Sequence, residues 1–133
     1  MVSLALVYSL CATAQGSWST IIPNQGQNIR ITDCQPVDEG YLTTHLHFWG
    51  SLGTSSEAHV SRLGPSGTLV SDRQLWPSAA SADVSVLLHD PVNARYHALG
   101  TLKSSSGQFW CFDYIFNGEG VPVDSNRLIF PNA

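Results

Sequence analysis

Turn-forming residues punctuate this chain at short, even intervals, and that rhythm constrains its fold more than any other feature. Clusters rich in Gly, Pro, Asn, Asp and Ser fall at 23–27, 35–40, 50–56, 64–67, 77–81, 90–94, 103–107 and 117–120. Glycine and asparagine tolerate positive φ and proline pre-sets a turn, so each cluster is a place for the chain to reverse. The runs between them predict strands near 2–14, 28–33, 41–49, 57–63, 68–72, 82–89, 95–102, 108–116 and 126–130. No segment sustains capped apolar positions at i, i+3, i+4 and i+7, so helix is expected to be minor. The expected fold is all-β, an antiparallel β-sandwich or jelly-roll-like domain. The 133 residues contain no linker, repeat or low-complexity tract, so 1–133 is expected to form one domain.

Three hairpins are specified locally. Gly64-Pro-Ser-Gly67 joins two short runs, Asp90–Ala94 joins Val84–Leu88 to Tyr96–Ala98, and Ser104–Gly107 leads into Gln108–Phe116. Phe109–Phe116 is bulky at every position except Cys111 and Asp113, which predicts a central strand covered on both faces. The start, Met1–Ala14, alternates as a half-buried strand would, with Leu4, Leu6, Tyr8 and Leu10 on one side. It also offers the apolar stretch and Ala12-Thr13-Ala14 site of a signal peptide, without a positive n-region. The strand is the preferred reading. Removal of this segment would leave Cys34 and Cys111 as a pair suited to one disulfide.

Charge limits function mainly by exclusion. Lys and Arg total six, Lys103 is the sole lysine, and the net charge is −4. The five arginines, at 30, 62, 73, 95 and 127, are scattered singly. Phosphate recognition needs several cations on one face, so nucleic acid is excluded as a partner, and so is an acidic membrane surface. No Asn-x-Ser/Thr site, CxxC pair or Gly-x-Ser-x-Gly elbow occurs.

The strongest local chemistry lies in Tyr41-Leu-Thr-Thr-His-Leu-His-Phe-Trp49. On a strand, Leu42, Thr44, Leu46 and Phe48 share one face, and His45 and His47 share the other. Two imidazoles so spaced can reach one metal ion, and His59 would add a third ligand if its strand pairs with theirs. The segment His45-Leu-His47-Phe-Trp-Gly-Ser-Leu, with Ser56-Glu-Ala-His59-Val, resembles the zinc region of α-type carbonic anhydrases. In that family both strand histidines bind zinc, which implies a zinc-bound water at His45, His47 and His59. The pattern departs from the family where Phe48 precedes Trp49 and Ala58 precedes His59. A one-residue slip on a strand turns side chains to the opposite face. The simpler expectation is that His45 and His47 are polar residues on a strand's wetter face, with no metal or other cofactor.

Remaining candidates are looser. Asp33, Asp38 and Glu39 flank a turn but lack the alternation of a calcium loop. His89-Asp90 and His97 lie on adjacent strands of one hairpin. Asp113, inside the bulky strand, is expected to pair with an arginine or cap a turn, since an unpaired buried carboxylate is costly. Trp18 and Trp76 sit in Ser/Pro-rich stretches, where exposed indoles would suit a protein contact or a sugar. Together these features lead us to expect a non-enzymatic structural or surface module. It would assemble with copies of itself or with a larger particle such as a virus or phage coat, and so be located in a virion. The alternative is a secreted, extracellular carbohydrate-binding module with a glycan partner. A His-ligated zinc enzyme is the remote third.

Overall fold

A computed structural model describes residues 28–49 and 55–128. They form eight strands: β1 (Asn28–Val37), β2 (Gly40–Trp49), β3 (Ser55–Leu63), β4 (Leu69–Leu75), β5 (Ser81–Asp90), β6 (Arg95–Lys103), β7 (Phe109–Phe116) and β8 (Pro122–Leu128). Two four-stranded antiparallel sheets result, in the orders β1-β2-β3-β4 and β5-β6-β7-β8. Every hydrogen-bonded neighbour among the described residues is also a neighbour in sequence. The described residues therefore form an antiparallel β-sandwich, as expected, of two four-stranded meanders. The expected strand at 2–14, the possible signal peptide there and Trp18 lie outside the described residues.

The hairpins arise from repeated turn chemistry. In Gly64–Thr68, Ser104–Gln108 and Asn117–Val121 the first residue's N–H donates to the carbonyl of the fifth, and the fourth residue's N–H donates back to the first. The fourth residue is glycine each time, at φ of +83°, +84° and +76°. This is the five-residue turn in which glycine absorbs the left-handed step without a Cβ clash. In the β5–β6 turn the Asp90 carboxylate instead caps the N–H groups of Val92 and Asn93. Leu75 to Ser81 carries the chain from the edge of one sheet to the edge of the other.

The core lies between the sheets. Leu42, Leu46, Ala58, Val60 and Leu75 meet Val84, Leu87, Ala98, Leu102, Phe112 and Phe116, all essentially closed to water. Polar anchors cross the gap at its edges: the Asp33 carboxylate accepts from Leu87 N–H at 2.7 Å, and Ser56 Oγ donates to Ala82 O at 3.0 Å. The first anchor explains why β1 runs on to Val37 where a turn is expected from 35. A bulge between Ile31 and Asp33 re-phases the strand, so that Asp33 and Gln35 face inward and bind Leu87. Asp33 is thereby withdrawn from any shared site with Asp38 and Glu39.

The bulky strand β7 is internal to its sheet, as expected, but its second face is only partly covered. Phe112 and Phe116 are buried in the core, and on the other face Ile115 is 8% exposed whereas Phe109 is 71% exposed. Asp113 pairs with His97 rather than an arginine. Cys111 carries a free thiol, so no Cys34–Cys111 bridge forms.

Candidate metal centre

The outer face of the first sheet, turned away from the sandwich core, holds a closely packed polar cluster. Side chains alternate along each strand, so Thr43, His45 and His47 of β2 share that face with Glu57, His59 and Ser61 of β3 and Asp72 of β4. Register then fixes who meets whom: His45 lies opposite His59, His47 opposite Glu57, and Ser61 opposite Asp72. The expected wetter face is in fact closed, with Thr43, His45 and Ser61 at 0% exposure, His47 at 6% and His59 at 8%. An apolar patch of Ile31 and Leu63, packed by Tyr41 and Leu69, occupies the same face.

The three imidazoles are in mutual ring contact. Centroids lie 5.0 Å apart for His45–His47, 5.2 Å for His45–His59 and 4.1 Å for His47–His59, the last pair nearly parallel. Asp72 closes the group. Its Oδ2 is 3.0 Å from His59 Nδ1, and its Oδ1 accepts from Ser61 Oγ at 2.8 Å and sits 3.4 Å from His45 Nε2. One donor atom from each of His45, His47, His59 and Asp72 falls within 4.8 Å of all the others. Donors around a tetrahedral zinc with bonds of about 2.1 Å stand roughly 3.4 Å apart, so small side-chain rotations complete such a sphere.

Electrostatics at the cluster follow from burial and crowding. Burial drives the His45 pKa down to about 3; Asp72 opposes this shift, and His59 and His47 add to it. His47 is lowered for the same leading reason. Burial also disfavours the His59 imidazolium, but hydrogen bonds to Asp72 and Glu57 prevail and raise its pKa. Asp72 resists the upward pull of burial through its bonds to His59 and Ser61, and falls to about 2. A neutral imidazole beside an ionised carboxylate is the protonation state in which these groups ligate a metal. Among the described residues neither ring nitrogen of His45 finds a hydrogen-bond partner.

The sequence pointed to His45, His47 and His59, and the structure brings all three together. Asp72 was missed. Its signal, a carboxylate on the strand after the Gly64–Gly67 turn, depends on a bulge between Arg62 and Leu63. An unbroken hairpin would have set Ser71 opposite Ser61. Trp76, the described candidate for exposed contact, is half-buried instead. Its ring packs on Phe112 at 6.1 Å and Tyr114 at 5.6 Å, beneath the Arg127 guanidinium at 4.8 Å. Comparison with known protein families, curated proteins and solved structures finds no match for this chain.

Proposed function

We propose that this protein is a non-enzymatic β-sandwich module whose first sheet is pinned by one divalent transition-metal ion, most naturally zinc. His45 carries the reading. It is a fully buried imidazole that finds no hydrogen-bond partner on either nitrogen among the described residues, set among three further metal-binding side chains. A buried polar group without a partner costs about 1–3 kcal/mol, which a metal bond at Nε2 would offset. Three imidazoles and one carboxylate favour zinc or copper over calcium or magnesium, which take mainly oxygen. Four protein donors leave no open position, as in structural rather than catalytic sites. Competition against a chromophoric zinc chelator tests this: wild type should bind one zinc per chain and His45→Ala none. Binding that is absent, or unchanged by His45→Ala, overturns it.

A second reading concerns assembly with copies of itself or a larger particle, including a virion surface. It is favoured by the outer face of the second sheet, where Leu88 is 48%, Phe109 71% and Leu128 48% exposed. Registers Leu88–His97, Lys103–Phe109 and Cys111–Leu128 put these side chains on one face. Exposed apolar area gathered on one face is typical of contact surfaces. Sedimentation of wild type against Phe109→Ser at rising concentration tests it; a monomer throughout, with no particle partner, would refute it.

A further inference from the structure

We propose that Glu57 is the positioning residue of the metal centre, accepting the Nε2–H of His59 and thereby directing Nδ1 of that ring to the ion. This inference rests on the metal reading above. The His59 ring lies between two carboxylates: Nδ1 is 3.0 Å from Asp72 Oδ2 and Nε2 is 3.3 Å from Glu57 Oε2. Asp72 belongs to the group of converging donors and Glu57 does not. The Nδ1 edge is therefore the one turned toward the other ligands.

An imidazole that gives one nitrogen to a metal keeps a proton on the other, and that N–H needs an acceptor to fix tautomer and ring orientation. Glu57 is the acceptor on the Nε2 side. Strand geometry places it there, because positions 57, 59 and 61 of β3 share one face. That strand thus supplies an acceptor, a ligand and, through Ser61 Oγ on Asp72 Oδ1, a donor to the second ligand. His47 lies across from Glu57 in register, and its near-parallel ring, 4.1 Å from that of His59 and inclined by 9°, sets the ring plane. Glu57 and Asp72 are 31% and 29% exposed at their side chains and form the solvent side of the centre, whereas the three imidazoles are buried.

The test uses the full chain labelled with nitrogen-15 and titrated with zinc. Long-range proton–nitrogen correlation of the His59 ring should show Nε2 protonated and Nδ1 metal-bound in zinc-loaded wild type. Glu57→Ala should lower zinc affinity about 10- to 100-fold, and Glu57→Gln, which keeps an oxygen acceptor, should recover much of the loss. A zinc-loaded wild type with Nδ1 protonated overturns the proposal, as does Glu57→Ala binding as tightly as wild type. The tautomer is read on wild type, so it does not depend on any variant folding. Zinc binding by wild type that is lost in His45→Ala but unchanged in Glu57→Ala removes the positioning role alone. Absence of binding in wild type removes the metal reading with it.

Discussion

Each sheet carries a histidine–aspartate contact on its outer face, and the two contacts are equally short. His97 Nδ1 lies 3.0 Å from Asp113, and His59 Nδ1 lies 3.0 Å from Asp72. What differs is their company. In the first pair His97 stands between Leu88 and Ile115 in register and Asp113 between Leu99 and Asn126, with side chains 27% and 22% exposed, so each group completes the other and water reaches both. The second pair is 10% and 29% exposed at its side chains, so water reaches Asp72 too, but it is crowded by His45, His47 and Glu57, and His45 is closed to water. Asp72 and Glu57 both engage His59, no hydrogen bond from the described residues reaches His45, and water does not reach it either. A metal centre is thus suggested by a buried imidazole left without a hydrogen bond beside further donors, not by a close His–Asp distance as such.

Acid should separate the two regions most strongly. The folded pKa of His45, about 3, lies below its ordinary 6.5, so the unfolded chain binds more protons between those values. The stability that His45 contributes is therefore complete above about pH 6.5 and falls as the pH drops toward 3. The His45 contribution is on the order of 5 kcal/mol across the whole window. Asp72, lowered from 3.8 to about 2, acts with the same sign at the acid end. His59, raised, acts oppositely, its contribution fading as the pH climbs through its folded value. Urea midpoints from pH 7 to 3 should fall steeply for wild type, and His45→Gln should flatten the slope between 6.5 and 3. An unchanged slope would mean that His45 is hydrated.

The two outer faces should also differ in what they contribute to folding. Leu63 is fully buried on one and Leu88 is 48% exposed on the other. Leu63→Ala should cost about 2–5 kcal/mol in equilibrium unfolding, the range for a buried leucine. A small loss there would mean that the first sheet's outer face is open. Zinc at 100 times its dissociation constant should stabilise wild type by about 2.7 kcal/mol by mass action. His97→Gln should leave that gain intact and His45→Ala should abolish it, as read from melting temperatures with and without a chelator. Ser61→Ala, which removes one hydrogen bond to Asp72 Oδ1, should cost about 1 kcal/mol without zinc. Leu88→Ser should change stability by less than about 0.5 kcal/mol. If the second sheet's outer face is a contact surface, the same variant should shift sedimentation toward the monomer.

Much of the architecture was legible because it is written locally. Turn residues at Gly64–Gly67, Asp90–Ala94 and Ser104–Gly107 act over four or five positions, and alternation in β2 told which histidines share a face. The errors came where distant segments intervened. The inward pull of Leu87 on Asp33 and Gln35 lengthened β1. The Trp76 ring, placed by sequence in a loop that could have left it exposed, found Phe112 and Tyr114 across the sandwich. β7 looked two-faced because Phe109 and Ile115 lie opposite Trp110, Phe112, Tyr114 and Phe116, yet only Ile115 of those two is buried and Phe109 is 71% exposed.

The sequence by itself determined that this chain makes short antiparallel strands and that His45 and His47 emerge together from one of them. Turn propensity and the two-residue period of a strand are properties of adjacent residues. Only the tertiary structure decided that their face is sealed, that His59 stands opposite His45, and that Asp72 completes the group. The first depends on which surfaces lose water, the second on how β2 and β3 pair, and the third on the bulge at Arg62/Leu63. A bulge shifts every later partner by one position, and burial is a sum over neighbours remote in sequence, so neither can be read from a short stretch of residues.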